Sequence, residues 1–311
     1  WLTSPSSRVA LPTHRLGVMS DHMIRVDGRR IAVHECGDPA GQPVIHFHGT
    51  PGSRLEMDFG SDLAERAGVR VIGVDRPGYG LSDPGPISPG GVARDVLAVA
   101  DELGVARFAV SAWSGGGAFA LATAAAAPDR VMRVGIAGGL APFDRMPGAR
   151  EALTAGDLEA LSHLPGDPAR AAELFRSGNS GILDAMLSVR DDETAPWVDW
   201  MWADSDAAVI ADPAARRALF VNFREALRQG TGAIAWDNVA FVGPWGFRVE
   251  DVRAHVHLWY GDDDEMAPPA NGRWLAEHLG AVDLTVYAGE GHLLPLAHWG
   301  EMLRALTTCG S

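Results

Sequence analysis

In the stretch VSAWSGGGAF, residues 110–119, one serine separates a strand-like run from three consecutive glycines that open an alanine-rich helix. A serine hydroxyl attacks a carbonyl only when a base takes its proton and the turn that carries it leaves the oxygen exposed. The strand, A-W-S-G-G, helix order predicts such a turn, with Ser114 in a sparsely populated backbone conformation. Sizeable side chains two residues before and after would then collide with the neighbouring strand and helix, and Ala112 and Gly116 avoid this. The helix that follows brings unpaired N–H groups and the positive end of its dipole beside the serine oxygen, suited to stabilising developing negative charge. The plainer alternative is that Ser114 only caps a helix.

A nucleophile needs a base within reach. Of the eleven histidines, His292 stands in GEGH, a glycine-containing loop just after the last predicted strand. The others have simpler places: His34, His255 and His257 fall in strands, His278 ends a helix and His298 lies on the closing helix. The base in turn needs a carboxylate that fixes its tautomer. GDDD at 261–264 offers Asp262, Asp263 and Asp264 at a strand end.

The elements that would bring these groups together alternate between short apolar runs and longer helical patterns, the signature of a mainly parallel, twisted α/β sheet with helices on both faces. MIRVD (23–27) and RIAVHE (30–35), joined through Gly28, read as an antiparallel hairpin. Strands are predicted at 43–49, 69–75, 106–112, 131–139, 255–261 and 283–289, with helices over 55–67, 92–103, 272–278 and 295–307. The helix after Ser114 is predicted to stop at Pro128. Residues 142–251 break the alternation: they read as helices without a parallel-strand run and hold five of the ten tryptophans. The predicted organisation is a core of 19–141 plus 252–311, a helical insertion at 142–251, and a leader or flexible segment at 1–18. Most of the tryptophans are expected to pack, and one or two to line a site.

Composition narrows the partners. With 47% hydrophobic and 21% charged residues the chain reads as a folded globular protein. Its net charge of −14 repels polyanions, which argues against nucleic acid. No run reaches the roughly 18 apolar residues of a membrane span. Cys36 and Cys309 alone make no disulfide framework and suggest free thiols in a cytoplasmic setting. His46 with His48, and His255 with His257, have the spacing that puts two side chains on one strand face, but no Cys or carboxylate cluster completes a tetrahedral zinc site. The triple glycine lacks the Lys-Ser or Lys-Thr of a phosphate loop. No metal and no cofactor is expected; a small molecule is the expected partner, and a homodimer is compatible with the sequence.

HGTPG (48–52), DRPGYGLSD (75–83), AWSGG (112–116), and GDDD followed by GEGH occur in an order that resembles the α/β-hydrolase fold family over residues 23–307. The resemblance implies a Ser114, His292 and Asp264 triad, with the backbone N–H groups of Thr50 and Gly115 as an oxyanion hole. It also implies that the 142–251 insertion is a lid between the sixth and seventh strands of the sheet. Ala112 departs from the family's usual glycine, adding one methyl group to the turn. Trp113 and His48 are expected to contact substrate. The expected activity is hydrolysis of an ester or related acyl bond of a small to medium, largely apolar substrate. The likeness of HGTPG to the HGGPG of proline iminopeptidases keeps an aminopeptidase open, with Glu151, Asp157, Glu173 or Asp204 as acids for its amine. A carbon–carbon bond hydrolase and a non-catalytic binding protein of the same fold are the remaining alternatives.

Overall fold

The computed structural model describes residues 20–192 and 194–307, so the expected leader, 1–18, lies outside the described residues. Its strands are β1 (Ser20–Val26), β2 (Arg29–Gly37), β3 (Gln42–Phe47), β4 (Val69–Val74), β5 (Phe108–Trp113), β6 (Val131–Ala137), β7 (His255–Gly261) and β8 (Val282–Tyr287). They form one sheet in the order β1-β2-β4-β3-β5-β6-β7-β8. β1 pairs antiparallel with β2 and β2 with β4, while β3 to β8 run parallel. The expected hairpin turns through Asp27 and Gly28 at φ 49° and 82°, a conformation that glycine adopts freely and aspartate tolerates. Val44, Ile45, Val71, Ile72, Phe108 and Val110 are fully or almost fully buried, as central strands covered on both faces require.

Before the insertion, three helices cross over between parallel strands: α1 (Ser61–Arg66), α2 (Pro89–Glu102) and α3 (Gly116–Ala126). α2 starts three residues earlier than its apolar spacing predicts because Ser88 caps it, accepting from Gly91 N, and Pro89 supplies a ready-made first turn. α1 is shorter than the predicted 55–67. Residues 58–60 form a 3₁₀ turn that ends at Gly60, where any side chain would run into the Trp299 ring 2.1 Å away.

Between β6 and β7 the described residues form helices and no strand: α4 (Ala155–Ser162), α5 (Pro168–Gly178), α6 (Ser180–Met186), α7 (Trp197–Trp200), α8 (Ala207–Ala211), α9 (Pro213–Ala226) and α10 (Gly232–Val242). α11 (Pro269–His278) and α12 (Leu294–Thr307) follow β7 and β8. No helix among the described residues is long and apolar enough to cross a membrane.

Sheet register explains how distant motifs meet. Phe47 pairs with Ala112, so the loops that leave β3 and β5, carrying HGTPG and Ser114, emerge side by side. Gly261 pairs with Tyr287, which does the same for the loops bearing Asp264 and His292. All four loops leave at the carboxyl edge of the parallel strands, where open α/β sheets place their ligands.

Candidate active site

Ser114 has φ +53°, one of two non-glycine residues at positive φ among those described, and thus holds the strained turn that its surroundings predict. Its backbone is fixed on both sides: Ser114 N donates to Ala137 O at 2.8 Å, and Gly117 N donates to Ser114 O at 3.0 Å. A methyl group at Gly116 would lie 2.2 Å from the Phe47 carbonyl oxygen, so glycine is obligatory there. Ala112 is buried in β5 between Phe47 and Ile136, and its extra methyl is accommodated.

His292 Nδ1 lies 2.7 Å from Asp264 Oδ2, and both residues are buried. The other oxygen of Asp264 accepts from Met266 N at 2.9 Å and Ala267 N at 2.8 Å, which pins the carboxylate. The three-aspartate ambiguity ends here, since Asp262 is exposed and accepts from Gly289 N, and Asp263 is exposed. A carboxylate at Nδ1 selects the Nδ1–H tautomer and leaves a lone pair on Nε2. Gly138, at φ +55°, leaves room for this pair: a methyl on it would sit 3.0 Å from the imidazole.

Ser114 and His292 border one cavity with Thr50, Trp113, Trp202 and Phe223, closed further by Met201 and Met266. Its free volume is about 20 Å³, room for one water. Gly115 caps the start of α3, so its N–H sits at a helix N-terminus. Thr50 is its neighbour, with Oγ1 only 3.0 Å from where a Gly115 side chain would begin.

The sequence model of the alpha/beta hydrolase fold matches residues 42–298. The chain belongs to the α/β-hydrolase fold family. A 2-hydroxy-6-oxononadienedioate/2-hydroxy-6-oxononatrienedioate hydrolase of Burkholderia vietnamiensis is 28% identical over 284 residues, 88% of each chain. Among solved structures, a bromoperoxidase from Bacillus anthracis superposes with TM-score 0.69 at 21% identity, covering 92% of this chain and 98% of its own. A proline iminopeptidase from Mycobacterium smegmatis does so with TM-score 0.59 at 20% identity, over 92% and 96%.

On the α/β-hydrolase sheet, the helical segment between β6 and β7 contributes groups that local sequence does not announce. Asp206 accepts from His292 N and Leu293 N, each at 3.0 Å, and so ties down the backbone of the histidine loop. Burial pushes its carboxyl above the ordinary aspartate range, against the hydrogen bonds from Leu293 and His292. Trp202 lies near-parallel to the His292 ring at 6.3 Å, and Trp113 donates from Nε1 to His292 O at 3.0 Å. Removing the anchor by Asp206→Ala is expected to lower kcat on the order of 10²-fold with KM changed little, because a misplaced base costs transition-state rather than ground-state binding. Steady-state kinetics on any turned-over substrate checks this.

Asp237, on α10, is fully buried and holds the other half of the site. It accepts from Thr50 Oγ1 at 2.6 Å and Tyr79 OH at 2.7 Å, and it binds Arg76 through both oxygens, at 2.6 and 3.0 Å. Arg76 passes the hold onward, donating to His48 O at 2.5 Å and Gly49 O at 2.8 Å. The signal for Asp237 lies in the sequence after all: it is the single charge in the run GAIAWDNVAFV. For Asp206 there is none, since Asp204 beside it is equally polar and is exposed.

His48, expected to contact substrate, is fully buried and does not border the cavity. Its Nδ1 faces Gly49 O at 2.8 Å and its Nε2 accepts from Arg76 N at 3.2 Å, so it shapes the turn. Burial, and after it the Arg76 charge, holds its pKa well below the usual imidazole range. Trp113 borders the cavity. Of the tryptophans in the insertion, Trp202 lines the site, whereas Trp197 packs on Phe223 and Trp245 on Phe247.

Proposed function

We propose that this α/β-hydrolase cleaves an ester or related acyl bond of a small to medium, largely apolar substrate through a Ser114 acyl-enzyme. The observation that carries the reading is one apolar cavity shared by a serine on a strained turn and a histidine backed by a buried carboxylate. In the reaction, His292 Nε2 takes the Ser114 proton as Oγ attacks the carbonyl, and the resulting oxyanion is held by the N–H groups of Thr50 and Gly115. Collapse breaks the bond to the leaving oxygen, which receives from His292 the proton that came from Ser114. Water, deprotonated by His292, then attacks the acyl carbon, and Ser114 leaves with that proton as the acid is released.

The walls favour a neutral substrate. The chain contains no lysine, and no arginine is among the residues described around the cavity. The Burkholderia relative's name specifies a dioate, whose two carboxylates would find no cation here. The cavity's own acid, Glu56, is spent: it is bound to His46 Nε2 at 2.8 Å, to Gly49 N at 3.0 Å and to Asn222 Nδ2 at 3.2 Å. An aminopeptidase needs a free acid for its substrate's ammonium, and Glu151, Asp157, Glu173 and Asp204 do not border this cavity. The helical segment 142–251 acts as the lid of a core made of 19–141 and 252–311. Met201 and Trp202, from this segment, line the cavity beside Ser114, where movement of a lid would widen the site for substrate.

A series of aryl esters from acetyl to hexanoyl tests the reading. Each methylene buried against these walls is worth about 0.8 kcal/mol, so kcat/KM is expected to rise at least tenfold along the series. A preference for acetyl over every longer chain, or faster turnover of an amino acid naphthylamide than of any ester, would overturn it.

A further inference from the structure

The amino edge of the sheet, opposite the cavity, holds a cluster with a different chemistry. His255 and His257 stand two apart on β7 and so share a face, and Asp283 on β8 is in register with His257. His255 Nε2 lies 2.8 Å from Asp283 Oδ2, and His257 Nδ1 lies 3.4 Å from the same oxygen. All three donor atoms fall within 4.8 Å of one another. In a tetrahedral zinc shell with bonds of about 2.0–2.1 Å, ligand atoms sit about 3.3 Å apart, so these separations need only small side-chain rotations.

We propose that His255, His257 and Asp283 form a binding site for a borderline divalent cation of the zinc type, with water completing the shell. Two imidazoles and one carboxylate suit such an ion better than calcium or magnesium, which prefer all-oxygen shells. Arg133, in register with His255 on β6, is the opposing charge. The carboxylate and the exposure of Asp283 moderate it.

Its role is structural. β7 and β8 carry Asp264 and His292 at their far ends, roughly 20 Å along the strands at about 3.3 Å per residue, too far for contact with the reacting atoms. An ion at the near ends would clamp the outermost strand, β8, to β7. This inference does not depend on the proposed esterase reading.

Titration calorimetry of the tag-free full chain with zinc chloride is expected to give one ion per chain, and a hundredfold excess over Kd is expected to raise Tm by about 5 °C. Both effects are expected to vanish in His255→Ala and Asp283→Asn, whose metal-free Tm should stay near that of the parent. Cobalt(II) bound to the parent protein gives a second reading that needs no variant: intense visible bands of a four-coordinate site, bleached by zinc, support the proposal. Absence of saturable zinc binding up to about 1 mM, or binding undiminished in both variants, would overturn it.

Discussion

Ser114→Ala is expected to lower turnover of a responsive aryl ester by on the order of 10⁴ to 10⁶-fold while leaving Tm within about 2 °C of the parent. The size follows from what is removed. In the proposed mechanism no acyl-enzyme forms without Oγ, and the residual rate would come from substrate positioning and the N–H donors of Thr50 and Gly115. Stability should barely change, because Ser114 borders the cavity and its turn is fixed through backbone atoms, with Ser114 N on Ala137 O. The same strain argument predicts that Ser114→Gly folds at least as well, since glycine adopts φ +53° without cost. Kinetics and thermal unfolding on the two variants check both halves; turnover within tenfold of the parent in Ser114→Ala would remove the covalent mechanism.

Asp237→Ala is expected to destabilise the fold by about 3–5 kcal/mol, the usual cost of leaving a buried charge without its partner. Arg76 is almost wholly buried, and its guanidinium meets Asp237 through both oxygens. Burial works against its charge, and Asp237 more than restores it, raising the Arg76 pKa above its ordinary value. Burial and then Asp237 likewise push the Tyr79 hydroxyl well above its usual range, which keeps it a neutral donor to that carboxylate. Taking Asp237 away therefore strands a cation, a phenol and the Thr50 hydroxyl together. Urea unfolding measures the loss, and a paired Arg76→Met and Asp237→Leu change is expected to recover part of it by removing both charges at once. A loss below about 1 kcal/mol in the single variant would mean that Arg76 finds compensation elsewhere.

The motifs at strand ends are legible in the sequence because a parallel sheet delivers every strand-to-helix loop to the same edge. Reading 106–112 and 255–261 as strands already places Ser114 and Asp264 on one rim. Register then supplied what spacing could not: Gly261 opposite Tyr287 brings the aspartate and histidine loops together. Local pattern alone leaves Asp262, Asp263 and Asp264 equal; the family resemblance singles out Asp264, and the hydrogen bonds from Met266 and Ala267 that pin it are encoded by neither. His48 misled because its position beside HGTPG says where the backbone runs and not where the ring points; Arg76, 28 residues on, claims that ring. Asp206 carries no local signal, and the lone charge that marks Asp237 in its apolar run does not name a partner, for a related reason. Each sits in a helical segment whose periodicity reports which face is apolar, while their partners, His292 and Arg76, lie 86 and 161 residues away. The histidine pair at 255 and 257 was seen as a pair, and Asp283, its third member, was hidden on the adjacent strand.

Labelling with a fluorophosphonate, read by intact mass and peptide mapping, asks whether serine, imidazole and carboxylate work as a unit. One adduct per chain is expected, on Ser114, formed much more slowly in His292→Ala although that variant keeps the same nucleophile. Folded protein that hydrolyses an ester yet carries no phosphonate on Ser114, or that labels equally fast without His292, would contradict the mechanism.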